Sequence, residues 1–485
     1  MPVLDLLKIS WPFILSLGSL FLLLYTAGHI LLNKHDTRSA TGWLGLVWFA
    51  PIIGICLYWL LGVNRIKRRA KARLASRQPI PLPEKNLAVQ PQHVANLFSK
   101  DQNGLAMLCQ LTEKVTREPL MEGNQIIPLI NGDQAYPLML ECITQAHHSI
   151  SLCTYIFDND RWGNKFRSAL KKARERGVDV KILIDGVGAR YSLPPMTWQL
   201  RRDGLNTVCF MQTLLPWRFH YFNLRNHRKI LIIDGKTGFT GGMNIRDGHY
   251  LSDTPKSPIQ DLHFHIKGPV VAELQKTFAQ DWSFSTGEKL TEKKWFPDLH
   301  KAGNGVARGI SDGPDEDFDT LRTVILGALA SARKSIKIAS PYFLPDEELI
   351  SGLCTASLRG IEVDIILPRE PNLKMIKWAS DAGLKRLLES GCILHMSNPP
   401  FDHSKIMMVD QAWVLLGSAN WDTRSLKLNF EFNVECYDRD LAQAIDTIFN
   451  EKTQSAHIVS LQEVKSKKLL IRLRNKFLRL FLPYL

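Results

Sequence analysis

No Cys-x-x-Cys pair occurs in the sequence: its eight cysteines, Cys56, Cys109, Cys142, Cys153, Cys209, Cys354, Cys392 and Cys436, are scattered through apolar surroundings. That spacing gives no zinc ribbon and no dithiol redox motif, and reads as buried, reduced thiols. Acidic charge is in deficit, 47 Asp and Glu against 61 Lys and Arg, a net +14. The excess implies an anionic partner, and composition fits nucleic acid and an acidic membrane surface equally well. Charge is nearly missing from two long apolar runs, Trp11 to Leu32 and Gly42 to Val63. Each is long enough to cross a hydrocarbon core of ~30 Å, and neither shows the polar stripe of a soluble helix, so they read as a membrane hairpin. The first also lacks the small-x-small site of a cleaved signal peptide. Arg65, Lys67, Arg68, Arg69, Lys71 and Arg73 follow the second run, whereas the connector holds only Lys34 and Arg38. The positive-inside bias then places both termini, and everything after Arg65, in the cytoplasm.

A chain of 485 residues can bury two or three separate cores. Gln78 to Glu84, QPIPLPE, reads as a linker. Ala146 to Phe157 reads as a buried strand, Lys165 to Gly177 as a helix ending at glycine, and Val178 to Asp185 as a second strand. Such a unit implies a parallel sheet with a right-handed crossover. The series recurs at Ala332 to Phe343 and Arg359 to Pro368, where Ser335-Ile336 answers Ser149-Ile150 and Arg359-Gly360-Ile361 answers Arg176-Gly177-Val178. Lys301 to Pro314, rich in Gly and Asp, reads as the boundary between the two series. The expected divisions are therefore a hairpin with its basic segment over 1–77, two α/β domains over 78–300 and 301–456, and a tail over 457–485.

The repeat carries its chemistry in NHRKILIIDGKTGFTGGMN, Asn226 to Asn244, and DHSKIMMVDQAWVLLGSAN, Asp402 to Asn420. Each copy reads His-x-Lys, four residues, Asp, a turn, an apolar run and a small-residue pair before Asn: His227, Lys229, Asp234, Asn244 and His403, Lys405, Asp410, Asn420. With 14 histidines in the chain, chance predicts roughly 0.04 His-x-Lys-x4-Asp matches. A single copy would read as an ordinary strand pair; two copies with matching flanks do not. Side chains two apart on a strand share a face, so an imidazole and an ammonium converge from each half. A protonated lysine is a donor-only group that repels a metal cation and suits a phosphate oxygen.

On these residues the chain resembles the phospholipase D superfamily, marked by a duplicated His-Lys-Asp motif whose copies meet in one active site. The likeness is nearest to the bacterial cardiolipin synthase branch. It rests on NLRNHRKILIIDGKTGFTGGMNI, SPYFLPD at Ser340 to Asp346, DHSKIMMVD, GSANWDTRSLKLNFE at Gly417 to Glu431, and YWLLGVNR at Tyr58 to Arg65. The resemblance implies an α/β fold of two tandem phospholipase D-like domains, mixed sheets flanked by helices and related by a pseudo-twofold, behind a two-helix transmembrane hairpin. It implies a double displacement at phosphorus with no cofactor and no metal: His227 attacks to form a phosphohistidine, and His403 serves as acid and then base. Lys229, Lys405, Asn244 and Asn420 are expected to hold the non-bridging oxygens, with Ser418 as a further substrate contact that Gly242 lacks. Asp261 and Glu431 match, by position, the acidic residues that orient the histidines. Asp234 and Asp410 complete the catalytic motif by name, but their places just past the strands suit turn residues and ion-pair partners.

The implied reaction moves a phosphatidyl group from one phosphatidylglycerol to another, giving cardiolipin and glycerol at a bacterial inner membrane. The alternative is a membrane-anchored phospholipase D-type hydrolase or a nuclease-like phosphodiesterase. Against nucleic acid stand the hairpin, the lack of a clear base-stacking platform, and the tail Lys465 to Leu485. There Leu470, Leu473, Phe477, Leu480 and Phe481 recur at helical spacing among Lys467, Lys468, Arg472, Lys476 and Arg479. This reads as a basic helix on an anionic bilayer, with a closing helix packed on the domain as its rival.

Overall fold

The computed structural model describes residues 2–34, 37–62, 87–97, 104–211, 224–313 and 319–480. The basic cluster Arg65 to Arg73, the proline-rich Gln78 to Glu84 and Phe481 lie outside the described residues. The chain forms an N-terminal unit, Met1–Ser76, and a larger unit of Arg77–Leu215 with Tyr221–Leu485.

In the N-terminal unit helix α1 (Pro2–Asn33) is followed by α2 (Thr37–Phe49) and α3 (Pro51–Leu57), which continues into a wide turn at Tyr58–Gly62. The expected second span is thus not one helix. Proline disfavours the helical region for the residue before it, and Ala50 takes φ −136° and ψ 68°, which separates α2 from α3 at Pro51. Among the described residues, Leu15–Asn33 is the one helix long and apolar enough to cross a membrane. Ile30, Val47, Ile55 and Tyr58 pack inside the unit, and Trp59 Nε1 donates to Thr26 Oγ1 at 3.0 Å. Leu17, Phe21, Phe49 and Ile52 face outward.

The larger unit holds the repeat. In its first half lie β1 (Leu120–Ile130), β2 (Ser149–Thr154), helix α4 (Arg161–Glu175), β3 (Asp179–Asp185), β4 (Asn206–Phe210), β5 (Ile230–Ile233), β6 (Thr237–Gly241) and β7 (Leu262–Lys267). Strands β2, β3 and β4 are parallel neighbours, as the strand-helix-strand reading requires. Helix α4 begins earlier than its apolar spacing suggests, because the Asp160 side chain caps it by accepting from the Gly163 N–H. On the other side of β2 the sheet turns antiparallel through β5, β6, β7 and β1.

The second half repeats that order with β8 (Gly305–Asp312), β9 (Ser335–Ala339), β10 (Glu362–Pro368), β11 (Ile393–Ser397), β12 (Ile406–Val409), β13 (Trp413–Gly417) and β14 (Asn429–Tyr437). Here β9, β10 and β11 are parallel, and β12, β13, β14 and β8 continue antiparallel. Strand β8 also pairs antiparallel with β1, Ala307 opposite Met121, so the pseudo-twofold seam runs between them. The segment read as a loop-like boundary therefore contains a strand shared by both sheets. Its glycines make room rather than turns: a Cβ at Gly309 would sit 2.6 Å from a Glu273 oxygen and 2.8 Å from the Phe432 ring. A core drawing on both halves, including Phe264, Trp282, Met408 and Val434, packs around this seam.

Three further helices frame the second half: α5 (Lys374–Asp381), α6 (Thr423–Lys427) and α7 (Leu469–Arg479). One edge of α7 packs inward through buried Asn475 and half-buried Leu478 and Arg479, with the Arg474 guanidinium 3.8 Å from the Trp378 ring centre, while the adjoining Lys467 pairs with Asp381 at 2.7 Å. Leu470, Leu473, Phe477 and Leu480 stay exposed, Leu470 at 80%. A helix closing the domain with its apolar face would bury them.

Candidate active site

Strands β5 and β12 are short, wholly buried and apolar, ILII and IMMV, because neighbouring strands and helices cover both faces. Each His-x-Lys immediately precedes its strand, at the edge where the buried sheet opens. Just upstream, Arg225–Asn226 pairs in parallel with Asn429–Phe430 of the other half, and His227 N donates to Phe430 O at 2.9 Å. The mirror pairing joins Phe401–Asp402 to Ile259–Gln260, and His403 N donates to Gln260 O at 2.7 Å. The next residues along the two partner strands are Glu431 and Asp261. Each histidine is thereby registered against the carboxylate of the opposite half: His227 Nδ1 lies 3.1 and 3.2 Å from the two Glu431 oxygens, and His403 Nδ1 lies 2.8 Å from Asp261 Oδ2. Asp261 and Glu431, placed near the histidines by sequence position, each face the histidine of the opposite half.

Lys229 and Lys405 are almost wholly buried beside their histidines, each Nζ donating to the histidine carbonyl at 2.6 Å. Burial pulls Lys229 down to about 7 against the restoring charge of Glu431, and Lys405 to about 8 against that of Asp261. Burial lowers both histidines as well. Glu431 partly restores His227, whereas Lys405, Lys229 and His227 add to the depression of His403, which falls well below the ordinary range. Burial alone would raise the Glu431 carboxyl, but His227, Lys229 and the Ser418 hydroxyl outweigh it and hold the group low. Asp261 ends up raised, burial prevailing over Lys405 and His249.

Several expected residues take other roles. Ser418, fully buried, donates to Glu431 Oε2 at 2.5 Å and braces the carboxylate. At the equivalent Gly242 a Cβ would fall 2.2 Å from Asp261 Oδ1; the shorter acid fills the space that a serine occupies in the other half. Asp234 and Asp410 do not reach the histidines. Asp234 sits at φ 51° and accepts from the backbone N–H groups of His147, His148 and Ser149; Asp410, at φ 53°, does the same for Arg333, Lys334 and Ser335. A catalytic reading of these two is corrected: they pin the turn after each His-x-Lys strand to the start of β2 or β9. Asn244 Oδ1 accepts from Ile156 N at 3.1 Å, and Asn420 Nδ2 donates to Ser425 Oγ at 3.3 Å, so both amides border the site in fixed orientations.

Other neighbours were not among the expected site residues, although Tyr342 lies within SPYFLPD. Tyr155 stands 5.2 Å from the His227 ring, and Tyr342 6.2 Å from that of His403. The available signal was topological, since each tyrosine follows a strand that pairs with a His-x-Lys strand. His249, buried and 6.4 Å from His403 between ring centres, takes the place that Ser425 has in the second half. Phe401 lies in the same cluster, its ring tilted and centred 5.9 Å from that of His403.

A duplicated mixed sheet bringing two His-x-Lys pairs to a common seam is the architecture of the phospholipase D class. Comparison with known proteins narrows it. A family described as cardiolipin synthase, PLD-like domain, matches residues 139–282 and 325–453, and one described as phospholipase D-nuclease N-terminal matches residues 21–62. A cardiolipin synthase of Alkalihalophilus pseudofirmus is 32% identical over 457 residues, 93% of this chain and 90% of that one. Cardiolipin synthase A of Pseudomonas putida is 31% identical over 473 residues, 97% of this chain and 98% of the other. The crystal structure of a phosphatidylserine synthase from Haemophilus influenzae shares the fold, with a TM-score of 0.60 at 16% identity over 78% of this chain and 100% of that one. The chain belongs to the cardiolipin synthase family of PLD-like proteins.

Proposed function

We propose that the protein is a cardiolipin synthase that transfers a phosphatidyl group from one phosphatidylglycerol to the free hydroxyl of another through a phosphohistidine. The observation that carries this is the pair of crossed His–carboxylate contacts, which set two imidazoles of different character at one seam. His227 Nδ1 faces only acceptors, Glu431 and the Ser418 carbonyl, so the ring proton sits on Nδ1 and Nε2 keeps its lone pair. That suits attack at phosphorus. His403 Nδ1 faces both Asp261 and the Lys405 ammonium, and its protonation follows the charge that substrate brings.

In the first step the His227 Nε2–P bond forms, the P–O bond to glycerol breaks, and His403 protonates the leaving alkoxide. In the second His403 removes the proton of the acceptor hydroxyl, whose oxygen attacks phosphorus as the P–N bond breaks. Lys229 and Lys405, with Asn244 and Asn420, hold the non-bridging oxygens through both steps. One phosphodiester is exchanged for another, so no energy-rich cofactor is needed.

The membrane part of the proposal is a multi-pass anchor in a bacterial inner membrane with the larger unit in the cytoplasm. Support comes from the apolar helix Leu15–Asn33, the outward leucines of α7 and the sequence bias at Arg65 to Arg73. Bulk water at ~55 M would hydrolyse an open phosphohistidine, so a synthase must meet its acceptor where lipid hydroxyls are dense and water is excluded. The test is the ratio of cardiolipin to phosphatidic acid formed from labelled phosphatidylglycerol by the intact protein in bilayers. Cardiolipin should predominate, and added glycerol should drive the reaction backward. Predominant phosphatidic acid would replace the synthase with a hydrolase.

A further inference from the structure

Between histidine and lysine the first motif carries Arg228, and the second carries Ser404. Neighbouring side chains on extended chain point to opposite faces, so Arg228 reaches behind the face that His227 and Lys229 present. It is 4% exposed, and a charge so far out of water has to be paired and hydrogen-bonded.

Part of that pairing has a counterpart of opposite sign in the second half. Arg228 Nη1 donates to Asp281 Oδ1 at 2.5 Å, and Asn226 Nδ2 donates to Asp281 Oδ2 at 2.9 Å. Asp281 belongs to the helix Val271–Thr286, which follows β7. In the second half Asp402, in the place of Asn226, accepts from Lys452 Nζ at 2.7 Å and from Ser404 Oγ at 2.6 Å. Lys452 belongs to the helix Arg439–Gln454, which follows β14. Each trio holds one cation, one anion and one neutral polar group. Anchoring a motif to the helix behind it therefore takes an ion pair of either polarity and does not by itself call for an arginine.

What the arginine adds is a grip on the opposite half. Its Nε donates to the Glu431 carbonyl at 3.0 Å, and its Nη2 donates to Ser311 Oγ at 2.7 Å and to the Asp312 carbonyl at 3.2 Å. Asp312 is the residue paired with Glu431 in the register of β8 and β14. The guanidinium also lies 5.5 Å from the ring centre of Phe430. One planar fork thus holds both strands at the level of the carboxylate that His227 faces. The carboxylate facing His403 is braced differently, by a neutral residue of its own half: Asn131 N donates to Asp261 O at 2.9 Å, and Asp261 N donates to Asn131 Oδ1 at 3.0 Å.

A carboxylate orients an imidazole only as well as its own strand is fixed. We propose that Arg228 is a positioning residue for the nucleophile: by locking Glu431 behind His227 it holds that imidazole in line with phosphorus and makes the first motif the attacking one. This inference rests on the phosphohistidine reading and names the residue that sets the two histidines apart.

The experiment gives the first half the arrangement of the second, in the full-length protein, by combining Asn226→Asp, Arg228→Ser and Asp281→Lys. The charge balance of the trio and an ion pair to the helix are kept, and the grip on Glu431 and Asp312 is lost. With a phosphodiester whose leaving group needs no protonation, rapid quench reads formation and turnover of the phosphohistidine separately. Formation should slow about tenfold, the scale of a hydrogen bond to a charged group, while turnover keeps its native rate. Glu431 raises the His227 imidazole against burial, so with the carboxylate loosened the acid limb of formation should also move to lower pH. If the triple variant does not fold, Arg228→Lys keeps a cation beside Asp281 without the planar fork and should show the same separation of the two steps. Formation at the native rate, or formation and turnover slowed in equal proportion, overturns the positioning role and leaves the synthase reading standing. Native protein that is labelled on His403, or that forms no phosphohistidine, overturns the reading on which the inference rests.

Discussion

At the scale of single residues the site is defined by which proton each imidazole holds. Glu431 supports His227 and Asp261 supports His403, so conservative changes should separate the two steps. With a phosphodiester whose leaving group needs no protonation, Asp261→Asn should still form phosphoenzyme but turn it over about 10²-fold more slowly, whereas Glu431→Gln should slow its formation. Rapid quench with phosphohistidine mapping measures this; label found on His403 would exchange the roles. Gly242→Ser makes the two halves alike in sequence yet drives a Cβ into Asp261, and turnover should drop by about the same factor while circular dichroism is preserved. The lysines set the alkaline limb. Lys229 at about 7 and Lys405 at about 8 lose their ammonium charge as pH rises through those values, and with it their hold on the anionic substrate. His227, lowered from its ordinary value, stays a neutral nucleophile down to mildly acidic pH. kcat/KM should therefore fall on the alkaline side near pH 7 to 8, far below an ordinary lysine at ~10.4. An alkaline limb beyond pH 10 would show that substrate never meets these lysines in their low-pKa state.

At the scale of elements, α7 shows an amphipathic helix mounted with an apolar strip outward. Arg474 on Trp378 and Arg479 with Glu347 hold it to the unit, leaving Leu470, Leu473, Phe477 and Leu480 outside. A contiguous exposed apolar strip on a basic helix fits an anionic bilayer. Leu470→Asp with Phe477→Asp should lower cardiolipin output several-fold on phosphatidylglycerol vesicles and far less on detergent-mixed micelles, where no extended surface has to be engaged. Equal loss on both would indicate that α7 matters for folding instead.

For the whole molecule the crossed contacts make each half dependent on the other within one chain. Full-length His227→Ala and His403→Ala should each abolish turnover, and mixing the two proteins should restore none, because both carboxylates and both histidines of a site come from the same unit. Recovery on mixing would mean that chains exchange halves. Topology is tested by reporters: one fused after Leu485 should read as cytoplasmic and one near His35 as external. The opposite pattern would move the site to the other leaflet and remove the basic cluster as the orienting signal.

Most of the fold was legible because its signals are local. The buried strands announce themselves as apolar runs, α4 by its spacing and closing glycine, and the duplication by His227, Lys229, Asp234 and Asn244 returning as His403, Lys405, Asp410 and Asn420. Where a single proline changed a helix, at Ala50–Pro51, the apolar composition of Gly42 to Val63 concealed it, and the glycines of β8 resembled a linker because their close contacts are long-range. The sequence by itself determined which groups the chain carries to the seam. Only the tertiary structure decided whose partner each one is: Glu431 for His227, Asp261 for His403, Ser418 for Glu431, and Asp234 and Asp410 for the backbone of β2 and β9. The two histidine choices depend on parallel pairing between strands far apart in the chain, His227 being 204 residues from Glu431 and His403 142 from Asp261, and no local periodicity encodes a contact at that separation.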